Sequence, residues 1–358
     1  IKMRAVIIGP YPPPYGGRSI HIKRLKEQLE KKGIDVVIYN TGGEVDSPRE
    51  NIIKIKGIIG LLRLLIFLTR EKIIHHHDEG WKSRVIIGLM GLLGKKIIFS
   101  IHSSVALKDD IERGNLFKRE LLKLVLRRSS FIIADNEKIK EFVLSLKIKP
   151  EKVGVISAFI LPVVKDEDNR KIPQYVWDFM KTHKPVISAS AFRVEFYDGV
   201  DIYGLDLAVG LIDQLRKKYP KVGLIFCIPD IGAREYFDRI NRIVEQKGIR
   251  EHVLFVTEPL DEIYPIWKKS DIFIRPTYID GDPLSVREAL FFEVPVVASD
   301  AAPRPSGVIS FKNRGLRAFV QSVEDVWDNY DEYKHKLGQI KAGDGFEKIL
   351  RVYKLLSE

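Results

Sequence analysis

One cysteine, Cys227, is all that the 358 residues contain. An internal disulfide is therefore excluded, and so is a cysteine-built metal cluster within one chain. That usage fits a reducing compartment, so a cytoplasmic setting is the expectation. No run of about 20 apolar residues occurs, so no membrane-spanning helix is expected. The apolar stretch Gly57–Thr69 is too short for that and contains Arg63. The start is not expected to be a secretory signal. After Ile1-Lys2-Met3-Arg4, the short apolar run Ala5–Ile8 passes into a Pro/Gly loop and reads as a first buried strand. The Gly-x-Gly-x-x-Gly dinucleotide fingerprint does not follow that strand, which argues against NAD. Solenoid-length repeats and low-complexity tracts are absent too.

What is present suits a soluble chain of two domains. Hydrophobic residues make up 45% of the sequence and charged residues 30%, enough for two cores with solvated surfaces. The net charge of +11 is unevenly placed. Residues 1–165 hold 31 Lys and Arg against 17 Asp and Glu, a balance of +14, and the remainder carries −3. An anionic partner of the first half is implied, whether a phosphorylated ligand or an anionic membrane surface. Nucleic acid is not expected, because no recognised binding module accompanies the charge. Asn51–Arg70 has no acidic residue. Its apolar stretch is expected to cover the N-terminal sheet as a buried helix, with an interfacial helix as the competing reading.

Strand-like and helix-like segments alternate along the chain, the pattern of parallel sheets covered by helices. The first series of apolar runs is Ala5–Ile8, Val36–Tyr39, Lys72–His77, Lys96–Ile101, Phe131–Ala134 and Val153–Ile156. The second is Val186–Ser190, Gly223–Cys227, Val253–Val256, Asp271–Ile274 and Val294–Ala298. A helix over 18–32 places Ile22, Leu25 and Leu29 on one face and stops at Gly33. The polar stretch Lys165–Lys171 reads as a linker. Two Rossmann-like domains are expected, at 1–163 and 172–340, with a final helix in 341–358 packing back on the first.

Two loops at strand ends can carry chemistry. The first strand leads into Gly9-Pro10-Tyr11-Pro12-Pro13-Pro14-Tyr15-Gly16-Gly17, and free amides at the helix start beyond Gly16 and Gly17 favour negative charge. The second loop is Arg275-Pro276-Thr277-Tyr278-Ile279-Asp280-Gly281-Asp282-Pro283-Leu284-Ser285-Val286-Arg287-Glu288. Here Asp282 is expected to cap a helix with Pro283 in its first position. The amides of Leu284 and Ser285 would form an anion site, and Glu288 could accept two hydrogen bonds from a ribose diol. His75-His76-His77-Asp78 invites a metal, but successive strand residues point to opposite faces, so the three cannot share one ion; His75 and His77 could share a face with Asp78 or Glu79 as a neighbour, and no metal site is the expectation.

The second loop resembles the donor-binding segment of retaining GT-B glycosyltransferases, specifically glycosyltransferase family 4 with its Glu-x7-Glu pattern. The resemblance extends along the chain through the Gly16-Gly17 loop, Ser100-Ile101-His102 and the Arg193 loop. It implies an α/β GT-B fold with two Rossmann-like domains facing a cleft. It also implies metal-independent transfer of a sugar, with retention, from a nucleotide-diphosphate donor and without a separate cofactor. Asp280 and His102 would address the sugar and Arg193 the diphosphate. Glu288, Leu284, Ser285, Gly281, Gly16, Gly17 and Tyr203 complete the expected donor site. Three departures stand out. Asp280 replaces a longer Glu, Pro283 replaces a frequent Gly, and Tyr203 stands where a Lys is usual, with Arg275 and Arg304 as substitute cations. The acceptor, a lipid-linked or membrane glycan precursor, is expected on the N-terminal domain, with the protein peripheral on the membrane's inner face. The rival expectations are a nucleotide-sugar epimerase of the same fold and a non-catalytic scaffold.

Overall fold

The computed structural model describes residues 4–42, 45–67, 73–340 and 343–357. The chain forms two compact units, Ile1–Val163 with Gly343–Glu358, and Val164–Ala342.

The first unit is built on seven parallel strands: β1 (Arg4–Gly9), β2 (Asp35–Asn40), β3 (Ile52–Lys54), β4 (Ile73–His76), β5 (Lys96–Ile101), β6 (Phe131–Ala134) and β7 (Val153–Val155). Their order is β3-β2-β1-β4-β5-β6-β7. Both faces are covered, which is why the strands read as continuous apolar runs rather than alternating ones. Val6, Ile8, Ile74, Phe99 and Ile132 face one helical layer. Ala5, Ile7, Ile73, Ile98 and Ile133 face the other, formed by helices Gly17–Lys31 and Phe346–Ser357. Tyr353 of that last helix is fully buried against the sheet.

The second unit carries six parallel strands: β8 (Val186–Ser190), β11 (Gly223–Cys227), β12 (Val253–Val256), β13 (Ile272–Arg275), β14 (Val296–Ser299) and β15 (Val308–Phe311). Their order is β12-β11-β8-β13-β14-β15. A short antiparallel hairpin, β9 (Phe196–Tyr197) with β10 (Val200–Asp201), follows β8. In both sheets the chain first builds outward on one side and then returns to build on the other. The reversals fall between β1 and β4 and between β8 and β13, the points where open parallel sheets bind ligands beyond the carboxyl ends of their strands.

Several expectations need correction. β3, β15 and the hairpin were not legible, being short or half-exposed. β13 starts at Ile272, one residue later than expected, and β14 starts at Val296 rather than Val294. Lys72 lies outside the described residues. Lys165–Lys171 is not a free linker. It contains helix Asp166–Arg170, anchored where buried Asp168 accepts a hydrogen bond from Tyr264 Oη at 2.5 Å. The apolar stretch forms helix Gly57–Phe67, with Thr69 beyond the described part. It is only half a cover. Leu61 and Leu64 enter the core, while Ile58, Ile59 and Leu62 are exposed at 43%, 69% and 46%. No helix among the described residues is long and apolar enough to cross a membrane.

Candidate functional site

In the second unit, the expected residues gather beyond β8 and β13, on either side of the switch point. β13 ends at Arg275, whose guanidinium reaches the Ser190 carbonyl oxygen at the end of β8 (2.9 Å), tying the two loops together. The same guanidinium lies over the Tyr203 ring, 5.1 Å from its centroid. Tyr203 is held in turn by Asp201, whose carboxylate accepts from the amides of Tyr203 (2.9 Å) and Leu205 (2.6 Å). Burial raises the Asp201 carboxyl, and those amides oppose the shift. Gly204 must be glycine. Its φ is +69°, and a Cβ there would stand 2.2 Å from the Pro276 oxygen.

Asp280 sits at the centre of a charged knot. Its Oδ2 accepts from Arg275 Nε (3.1 Å), Thr277 Oγ1 (3.0 Å) and Arg304 (2.7 Å). Its Oδ1 accepts from Arg275 (3.2 Å) and the Gly281 amide (3.1 Å). Burial by itself would raise this carboxyl, but the two guanidiniums prevail and hold it below the usual carboxylate range. Any sugar hydroxyl addressed by Asp280 must share oxygens that already carry these donors. The two substitute cations are therefore committed. Arg275 and Arg304 side chains are 11% and 4% exposed and neutralise Asp280. Arg193 differs from both. Its side chain is 46% exposed and among the described residues meets only the longer contacts to Asp230 (3.4 Å) and Glu195 (3.9 Å), so it is an accessible cation of this loop cluster.

The helix that follows begins one residue later than expected. It spans Leu284–Phe291 with Pro283 as N-cap, in an extended conformation. Asp282 does not cap it and instead accepts from Arg287 Nε at 2.6 Å. Pro283 supplies no amide, so the first free donors are those of Leu284 and Ser285, which have no carbonyl one turn back. Glu288 lies one turn in, 6% exposed, and its Oε2 accepts the indole N–H of fully buried Trp267 at 3.0 Å. Trp267 was missed. It lies in a separate helix, Tyr264–Lys269, and no local pattern links it to Glu288. The indole fixes the orientation of the carboxylate.

In the first unit, Gly16 is the N-cap of helix Gly17–Lys31. Its amide is satisfied by Ser19 Oγ at 2.9 Å, which leaves the amides from Gly17 onward as the helix-start donors. His102 follows β5, and its Nδ1 lies 2.9 Å from Asp135 Oδ2. Its Nε2 lies 3.0 Å from Nδ1 of His77, and the rings stack at 17°. His21 completes the group, with Nδ1 2.6 Å from the Ala158 carbonyl oxygen. Gly9 permits this packing, because a Cβ there would meet Ile22 at 2.6 Å and His77 at 3.0 Å. Burial lowers the His21 imidazole to about 4 and takes His77 well below its ordinary value, so both stay neutral. His75 is a packing residue, bonded on both sides to Tyr353 Oη (2.7 Å) and Ser100 Oγ (2.8 Å).

Within the folded sheet, strand parity puts all of this group except His21, which comes from helix Gly17–Lys31, on one face. Ile73, Ile98 and Ile133 face one layer, so His75, His77, Ser100, His102 and Asp135 continue on that same face. His76 faces the opposite layer and pairs with Ser83 Oγ at 2.7 Å. The expected site residues thus fall into two groups. Gly16, Gly17 and His102 belong to the first unit; Arg193, Tyr203, Asp280, Gly281, Leu284, Ser285 and Glu288 belong to the second.

Comparison with known proteins agrees with this division. Residues 15–160 match the family model described as Glycosyltransferase Family 4, and residues 200–336 match Glycosyl transferases group 1. An uncharacterized glycosyltransferase of Haemophilus influenzae is 24% identical over 161 residues, covering 42% of this chain and 44% of that one. The chain thus spans less than half the length of this relative. The D-inositol 3-phosphate glycosyltransferase of Corynebacterium glutamicum is 21% identical over 327 residues, covering 82% of this chain and 77% of its own. Among solved structures, Anabaena HepE in complex with UDP superposes with a TM-score of 0.71 at 11% identity, covering 99% of this chain and all of its own. At that identity the likeness shows the fold, which is GT-B. The chain therefore belongs to the family 4 type of GT-B glycosyltransferases.

Proposed function

We propose that this protein transfers a sugar from a nucleotide-diphosphate donor to an acceptor hydroxyl with retention of configuration. The observation that carries the reading is that the neighbouring strands β8 and β13 each lead into a loop with donor-binding chemistry: exposed Arg193 after β8, and after β13 the helix-start amides of Leu284 and Ser285 with the indole-fixed carboxylate of Glu288. The cation and amides suit a diphosphate, and the carboxylate suits a ribose diol. In the transfer, the bond from the anomeric carbon to the diphosphate oxygen breaks and the acceptor oxygen takes its place on the same face. The acceptor proton passes to the departing diphosphate. Arg193 and the helix-start amides offset the charge that grows there. Asp280 and Gly281 shape the sugar end of this site, Tyr203 packs under Arg275, and no metal takes part in the step. Gly16, Gly17 and His102 are the first unit's own candidates for a sugar hydroxyl or phosphate.

A lipid-linked acceptor at an anionic membrane, with the protein peripheral to it, is supported by the +14 balance of residues 1–165. The exposed Ile58, Ile59 and Leu62 beside exposed Lys56 and Arg63 support it further. The test is transfer of radiolabel from UDP-, GDP- and ADP-sugars into a bacterial lipid extract, with NMR of the product. The expected result is organic-phase label carrying the donor's anomeric configuration. Label confined to a water-soluble product would move the acceptor off the membrane. An inverted product would end the retaining reading, and an epimer formed from donor alone would end the transferase reading.

A further inference from the structure

Three adjacent side chains in the first unit each bury a polar atom that has no hydrogen-bond partner: His21 Nε2, His77 Nε2 and Asp135 Oδ1. Such atoms are rare in folded proteins, and a cluster of them calls for a water or an ion. His21 and His77 are 2% and 0% exposed, and the His102 side chain is 9% exposed, so bulk solvent does not answer the need. One ring nitrogen from each of His21, His77 and His102 falls within 4.8 Å of the other two. Among the described residues this is the only group of three or more His, Cys, Asp or Glu with that convergence.

We propose that His21, His77 and His102 form a transition-metal site, with Zn²⁺ as the ion it suits best. Three imidazoles match the ligand set of borderline metals, whereas Mg²⁺ and Ca²⁺ require oxygen. Two of the rings already have the outer partner that such ligands usually carry. His21 Nδ1 is spent on the Ala158 carbonyl oxygen and His102 Nδ1 on the Asp135 carboxylate, which leaves Nε2 of each as its ligand atom. His77 offers Nδ1, which already stands 3.0 Å from His102 Nε2, so of the three unpartnered atoms His21 Nε2 is the one that would meet the ion, and His77 Nε2 and Asp135 Oδ1 are left to water. Tetrahedral ligands at about 2.1 Å from zinc lie roughly 3.3 Å apart, so closing from 4.8 Å asks for side-chain adjustments of about 1 Å. Asp135 supplies the nearby negative charge. The three ligands come from helix Gly17–Lys31 and from the residues just after β4 and β5, so an ion would join both sides of the first sheet's switch point. His75 is excluded because both its nitrogens are occupied, and His76 because it faces the other layer.

This inference goes beyond the transferase reading and does not depend on it. If both hold, the ion withholds His102 Nε2 from a sugar, so zinc inhibits transfer and a chelator restores it.

The test uses the full chain, stripped with chelator and titrated with Co²⁺ by visible absorption and with Zn²⁺ by calorimetry. The expected result is one ion per chain with a four-coordinate Co²⁺ spectrum. Binding should be lost in both His21→Gln and His77→Gln and weakened about 10- to 100-fold in Asp135→Asn. His335→Ala, far along the sequence in the other unit, should bind as the unaltered protein does. Circular dichroism confirms that each variant is folded, and because two ligands are tested separately, a misfolded one does not decide the matter. The proposal is overturned if the folded protein takes up neither ion stoichiometrically. It is also overturned if both histidine variants bind unchanged. Either result assigns the three buried atoms to ordered water.

Discussion

Replacing Asp280 with alanine will destabilise the second unit by about 3–5 kcal/mol, the cost typical of removing one partner from a buried ion pair. The physical reason is that Asp280 is the shared carboxylate of two guanidiniums, Arg275 and Arg304, with little solvent to take its place. Its loss also frees Thr277 Oγ1 and strips Arg275 of the partner that holds it over Tyr203. For a unit of this size, the penalty lowers the melting temperature by roughly 10 °C. Asp280→Asn, which keeps an acceptor oxygen but loses the charge, should fall between the two. Because the pairs are buried, the loss should change little with salt. Denaturant melts of the three proteins check this, and a penalty below about 1 kcal/mol would mean that the knot is loose. The same geometry bears on the departure from the family pattern, because Asp280 and its two arginines form a buried set with one positive charge in excess, while Arg193 stays exposed.

Acid should unfold the first unit early. His21, His75, His76 and His77 are buried and neutral, with burial the leading cause in each case. His21 is lowered to about 4 and His76 to about 3, from an ordinary value near 6.5. These are depressed folded-state values, so above pH 6.5 neither state binds the proton and the stability is fully present. As pH falls below 6.5 the unfolded chain takes up protons that the folded chain refuses, and stability is lost. For His21 the loss levels off near pH 4, and for His76 near pH 3. One pKa unit is worth 1.36 kcal/mol, so each such imidazole removes about 2 kcal/mol by pH 5. Melts from pH 7.5 to 4.5, with chelator present, should show a steep decline beginning near pH 6.5. A flat profile down to pH 5 would mean that these rings are protonated, or wet, in the folded state.

How much could be read beforehand followed from burial. Strands covered on both faces, such as Lys96–Ile101 and Gly223–Cys227, are dominated by apolar residues, and their bounds stood in the sequence. β3, with exposed Ile53, and the hairpin of exposed Phe196 and Tyr197 leave no such run. A polar composition disguised helix Asp166–Arg170, because its anchor, Tyr264, lies 96 residues away. Long-range partners account for the site's gaps too. The Glu288–Trp267 bond spans 21 residues and His102–Asp135 spans 33, and only the folded sheet brings them together. The capping error had a local cause. Asp282 is a good cap by composition, but Arg287 claims its carboxylate and Pro283 takes the N-cap position.

The most direct measurement is calorimetric titration with UDP, GDP, ADP and their sugar conjugates, on the unaltered protein and on Glu288→Gln and Arg193→Ala. Glu288→Gln keeps an acceptor for Trp267 while removing the charge, so it separates ribose recognition from folding. Binding of one nucleotide class is expected, weakened about 10- to 100-fold in each variant, the worth of a charge-assisted hydrogen bond. A ligand at 100 times its dissociation constant should also stabilise the protein by about 2.7 kcal/mol. No heat with any nucleotide at millimolar concentration, or binding indifferent to both substitutions, would contradict a donor site beyond β8 and β13.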